Sequence, residues 1–160
     1  MRKLIDNQLK DQETPLFGVL PIEQVKFDIR CRDEITKTLR GLQAIYMDKE
    51  CSEEIFIILD RMIPKGTSKK TGRKGMALWT IFVLGMLRLS CNWNYDTLKN
   101  CYDNHKLIRQ MCGMDLFCDS DKVTPLQTIH DNISLFTEEI ANEISTVVVN
   151  YGHKLVKKKY

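Results

Sequence analysis

Between Met76 and Leu89 nearly every side chain is apolar: Met76, Leu78, Trp79, Ile81, Phe82, Val83, Leu84, Met86, Leu87 and Leu89. Wound at 3.6 residues per turn, these positions reach every face of a helix. A helix that is apolar all round has to be surrounded by other elements. The spacing therefore predicts a central helix over 76–90. The unbroken part, Met76–Leu87, has 12 residues with Thr80 and Gly85 inside it. A bilayer span needs about 20 apolar residues, so this is a core helix and no membrane partner is expected.

Amphipathic segments flank it on both sides. Ile35, Leu39, Leu42, Ile45 and Tyr46 recur at helical spacing over 34–49. Ser52 is a suitable cap for the next helix, with Glu53 and Glu54 in its first turn and Ile55, Ile58, Leu59 and Met62 on its inner face. Pro64 would end it. Asn94 can cap a helix over 95–103, and a short helix over 105–112 comes next. Thr124-Pro125-Leu126-Gln127 has the form of a capping box with proline at the first helical position of a helix over 125–135. Thr137 can cap the last helix, with Ile140, Ile144, Val147, Val148, Tyr151 and Leu155 on one face. Residues 1–30 read as an N-terminal arm, in which Ile22, Val25 and Phe27 suggest one short apolar element. The expectation is an all-α domain over 31–160, with six or seven helices and a helix-turn-helix-like centre.

The chain has 160 residues and a net charge of +3, which alone does not argue for nucleic acid. The distribution says more. Residues 64–74 hold Lys65, Lys69, Lys70, Arg73 and Lys74 with no acid, and residues 146–160 hold Lys154, Lys157, Lys158 and Lys159 with no acid. Residues 113–145 carry seven acids against one lysine. Clusters of this kind, rather than net charge, are what a phosphate backbone feels.

A buried helix succeeded by two short helices with a tight turn fits helix-turn-helix architecture. The second would turn His105, Lys106, Arg109 and Gln110 outward. Lys106, Arg109 and Gln110 are side chains able to reach phosphates and base edges. An ordinary helical hairpin with a solvated polar face fits the same spacing, and the turn glycine of many such motifs is absent. The basic loop offers Lys69, Lys70, Arg73 and Lys74 to phosphates, or is a solvated linker. It is not a phosphate-binding P-loop. Gly66 and Gly72 are separated by five residues, Gly72 is followed by Arg-Lys, and no strand precedes it.

Other chemistries find less support. The six cysteines include no CxxC pair, and reduced thiols in a cytoplasmic protein are expected. Cys101, His105 and Cys112 lack the tight pairing of a zinc site. Asp115, Asp119 and Asp121 lack the glycine and terminal glutamate of a calcium loop. The Asn132-Ile133-Ser134 sequon would carry no glycan in such a compartment. No GxSxG, HExxH or GxGxxG occurs, and the three histidines have no evident nucleophile beside them. No catalytic residue, metal ligand or cofactor site is therefore assigned.

Taken together, GRKGMALWTIFVLGMLRLSCNWNYDTLKNCYDNHKLIRQMCG over 72–113 resembles the N-terminal region of bacterial insertion-sequence transposases of the DDE class. In that family a Gly-Arg-x-Gly-Met loop precedes a Leu-Trp…Leu-Gly…Leu-Arg helix and an Asn-Trp-x-Tyr-Asp turn. FDIRCRDEITKTLRGLQAIY over 27–46 is similar to the family's opening helix. Thr124–Lys159 is similar to the stretch that leads into its catalytic domain. The resemblance implies a DNA-related role. Family members bind the terminal inverted repeats of their element through this region. They cut and join DNA with three metal-binding carboxylates on a separate RNase H-like domain. The chain has no place for that domain, so the expectation is DNA binding without catalysis in the bacterial cytoplasm. The partners expected are double-stranded DNA and a homo-oligomer, or a mixed oligomer with full-length transposase. The alternative is a helical interaction module that uses the exposed surfaces of helices 34–49 and 125–135, such as a transposition inhibitor with no direct DNA role.

Overall fold

The computed structural model describes residues 18–63, 76–114 and 124–159. A 3-10 turn at Ile22–Gln24 precedes seven α-helices, and no strand occurs among the described residues. The helices are α1 (Glu34–Met47), α2 (Lys49–Asp60), α3 (Leu78–Cys91), α4 (Tyr95–Asn104), α5 (Lys106–Met111), α6 (Leu126–Ile133) and α7 (Glu138–Lys159). The all-α expectation holds.

Helix α3 is the centre, as its composition requires. Leu78 through Gly85 and Leu87 are all buried. α1, α2, α4 and α6 pack on it, while α7 lies along α2 and α4 packs on α6. Trp79 sits among Tyr46, Phe56 and Phe82, with ring centroids 4.9, 6.4 and 5.5 Å away. Its indole Nε1 donates to the Met111 carbonyl at 2.8 Å. Gly85 is where Phe136 crosses α3: a Cβ built there would lie 2.4 Å from Phe136 Cδ1. No larger residue fits without displacing that ring.

The helix ends arise from individual side chains. Asp33 Oδ1 accepts from Ile35 N at 3.0 Å and starts α1. Asp48 ends α1 and starts α2, its Oδ1 accepting from Cys51 N at 3.0 Å. Ser52 is therefore not the cap. It lies one turn inside α2, buried, its Oγ without a partner. Asp48 already holds the extended backbone that a cap needs (φ −82°, ψ 107°). α2 ends at Asp60, and Pro64 lies outside the described residues.

α3 ends on Asn92 in the left-handed region (φ 52°), a conformation that asparagine tolerates better than most residues. Asn94 Oδ1 then accepts from Thr97 N at 2.8 Å and opens α4, as the sequence predicts. Thr137 Oγ1 faces Ile140 N at 3.4 Å at the start of α7.

The expected capping box at Thr124 does not form. Pro125 occupies the cap position of α6 with no side-chain cap bond. Thr124 hydrogen-bonds the Tyr102 phenol instead, and Gln127 Nε2 donates to Asp131 Oδ1 at 2.7 Å. The described part of the N-terminal arm belongs to the body. Ile22 and Val25 are buried, and Gln43 Nε2 donates to both of their carbonyls at 2.8 Å.

Candidate nucleic-acid interface

Four of the seven residues expected to contact DNA, Lys69, Lys70, Arg73 and Lys74, lie outside the described residues. The other three are on α5, and the fold separates them. Lys106 opens the helix and is exposed. Arg109 is half-buried, and its Nη1 donates to the Asp103 carbonyl at 3.0 Å, where it satisfies the last turn of α4. Gln110 is buried, at 8% exposure, so it does not face outward as its spacing suggests.

α5 is closed at its end and held along its length. Gly113 adopts φ 68°, its N–H bonds to the Gln110 carbonyl, and Met114 N bonds to the Arg109 carbonyl. α5 also packs against both α1 and α4. A six-residue helix held from two sides has little free surface.

Of the α4–α5 pair, α4 is the helix that presents a polar face. Thr97, Asn100 and Asn104 are exposed at steps of three and four residues, so they share one face. Asn104 Nδ2 donates to the Asn100 carbonyl at 3.0 Å and to its Oδ1 at 2.9 Å. Lys99 and Asp103 form an ion pair beside this face, and Asp96 is exposed at its start. Lys106 lies just beyond its end.

The N-terminal end of α4 is pinned by aromatic contacts. The Arg88 guanidinium lies 4.4 Å from the Tyr95 ring centroid, and Tyr95 meets the His130 ring at 4.5 Å. Arg88 Nε and His105 Nδ1 are both buried without a hydrogen-bond partner. The cation–ring and tilted ring–ring contacts tie the ends of α3, α4 and α6 into one corner.

A second basic surface is on α7. Residues 152–158 are all exposed and include Lys154, Lys157 and Lys158. Their charge is visible in the sequence as an acid-free run, but helical facing alone does not tie it to α4 or α5. The Lys154 ammonium lies 4.8 Å from the Tyr151 ring centroid, and the Tyr151 hydroxyl donates to Glu54 Oε1 at 3.0 Å.

The thiols are shaped by burial. Cys51, Cys91, Cys101 and Cys112 all have raised pKa values, with desolvation the largest cause in each. The five described cysteines are free. Among the described residues no group of three or more His, Cys, Asp or Glu side chains stands close enough to hold a metal ion. None of the helices in the described residues is long and apolar enough to cross a membrane. Asp115, Asp119 and Asp121 lie outside the described residues. No family model, curated protein or solved structure matches this chain.

Proposed function

We propose that this chain is a helical DNA-binding region of the kind found at the N-terminus of insertion-sequence transposases, working in the bacterial cytoplasm by binding rather than by catalysis. The observation that carries the reading is the outward face of α4. Thr97, Asn100 and Asn104 are uncharged hydrogen-bonding side chains on one exposed helical face that runs on to Lys106. Asparagine and threonine are suited to base edges, and lysine to a phosphate. α4 thus takes the reading role that the sequence spacing gives to α5. Lys154, Lys157 and Lys158 on α7 add phosphate contacts of a less specific kind.

The test is fluorescence anisotropy with duplex DNA taken from the sequences on either side of the gene, against a scrambled duplex. Affinity should be micromolar or tighter at about 50 mM salt and fall steeply by about 200 mM, because counterions are released when lysines meet phosphates. Equal and undetectable binding of both duplexes at the lower salt would end this reading.

A protein-contact reading has one specific observation in its favour, the exposed apolar side chains Val149 and Val156 of α7. They lie on a different helix from the α4 face, so the two roles are compatible.

A further inference from the structure

Asn100 and Asn104 stand one turn apart on the exposed face of α4 and are joined to each other. Asn104 Nδ2 donates to the Asn100 main-chain carbonyl at 3.0 Å and to Asn100 Oδ1 at 2.9 Å. Two acceptors flank that one atom, so it is the nitrogen, and both of its protons are used. The amide of Asn104 is thereby fixed, with Oδ1 left as a free acceptor. Asn100 Oδ1 is taken by the same contact, which leaves its Nδ2 as a free donor. Neither free atom has a partner among the described residues. An isolated surface asparagine can present donor and acceptor in either order. This pair presents them in one order only.

One base edge fits that order. In the major groove adenine offers N7 as an acceptor beside N6–H2 as a donor. Guanine offers two acceptors, cytosine one donor, and thymine one acceptor with a methyl group. The free acceptor of Asn104 beside guanine O6 would set two lone pairs together. We propose that Asn100 and Asn104 act as one unit that reads an adenine from the major groove, Asn100 Nδ2 donating to N7 and Asn104 Oδ1 accepting from N6–H2. This rests on α4 being the DNA-reading helix, and adds which base is read and by which atoms. The bond between the two amides exists before DNA arrives, so less side-chain freedom is lost on binding. Lys106, just past the end of α4, is exposed and free to meet a phosphate beside the base. Of the two acids on α4, Asp103 is paired with Lys99. Asp96 is exposed one turn before Asn100 and only accepts, so it disfavours a phosphate there and leaves that part of the face to base edges.

The test is selection of a random-sequence duplex pool by the full chain, followed by sequencing of the bound fraction. It should enrich a motif that contains a fixed adenine. Asn100→Ala and Asn104→Ala should each weaken the preference at that adenine about fivefold or more, with the other positions of the motif retained. Two analogues then assign the atoms. In the selected duplex, 7-deazaadenine lacks the N7 acceptor and purine lacks the N6 amino group, and each should weaken binding severalfold at that position. The cost of 7-deazaadenine should vanish in Asn100→Ala, and the cost of purine in Asn104→Ala. The analogues are first measured with the unaltered protein, so that result stands even where Asn104→Ala frays the end of α4. A motif that keeps its adenine at full strength in both variants overturns the proposal. So does full affinity for both analogues at every adenine of the motif, or binding with no enriched motif, and each of these leaves DNA binding by the chain intact. No binding of the pool at about 50 mM salt overturns the DNA-binding reading itself, and this proposal with it.

Discussion

The indole Nε1 of Trp79 donates to the main-chain carbonyl of Met111 at 2.8 Å, across the buried middle of the fold. Met111 is the last residue of α5, so its carbonyl has no partner within that helix. One side chain of the central helix thus fills the core and also satisfies the end of the shortest helix. Trp79→Phe keeps most of the packing but leaves the carbonyl unpaired. It should cost about 1–3 kcal/mol, and Trp79→Ala about 3–5 kcal/mol, read as midpoint shifts in urea unfolding. Equal stability of Trp79→Phe and the parent would show that water replaces the indole there.

The joint between α1 and α2 separates two capping assignments. Asp48→Ala removes the bond to Cys51 N and should cost about 1 kcal/mol. Ser52→Ala removes a buried hydroxyl that has no partner, and should be neutral or stabilising. If Ser52 were the cap, the order of the two effects in thermal unfolding would be reversed.

Lys106 and Gln110 are neighbours in sequence with opposite expected phenotypes. Lys106→Ala should weaken binding to all duplexes alike and reduce the slope of log affinity against log salt by about one, with stability unchanged. Gln110→Ala should lower the unfolding midpoint with little direct effect on the salt slope, because Gln110 is buried. Anisotropy and thermal unfolding on both variants decide the assignment. A Gln110→Ala protein of full stability that no longer binds DNA would refute it.

Alkaline pH should be the weak side of this fold. Burial raises the thiols of Cys51, Cys91 and Cys101 above their ordinary value of 9.0. Partial burial and the bond to Glu54 push Tyr151 up to about 12. Each group holds its proton more tightly folded than unfolded. Their contribution is complete below the unfolded values and is lost as pH rises through the folded ones. The melting temperature should therefore fall from about pH 9 upward, first through the thiols and then through the phenol. A melting temperature that rises between about pH 9 and about pH 11 would contradict the burial of these groups.

Much of the architecture is readable in the chain because its strongest signals are local. The all-round apolar run at 76–90 marks the central helix, and Asn94 is a cap in both sequence and structure. The errors arise where a distant group competes for a local one. Thr124 fits a capping box by spacing, but the Tyr102 phenol takes its hydroxyl. Ser52 fits a cap by type, but Asp48 stands four residues earlier with a carboxylate, a stronger acceptor. Gln110 comes after Lys106 and Arg109 on a polar-looking segment, yet α5 packs against both α1 and α4 and Gln110 is buried. The face of α4 is hidden from a reading by charge, because its outward side chains are uncharged and the lysine stands on the neighbouring helix.

The Gly85 notch has a kinetic meaning as well as a steric one. α1 with α2, α3 with α4 and α4 with α5 are neighbours in sequence and meet by closing short loops. Phe136 reaches Gly85 only after the longer stretch between α5 and α6 has closed, at a greater entropic cost. The ring therefore seats after α3, α4 and α5 have met through their short loops. Phe136→Leu should then quicken unfolding while leaving refolding nearly unchanged, which the two arms of a chevron plot separate. A slowed refolding arm would instead place this contact in the nucleus.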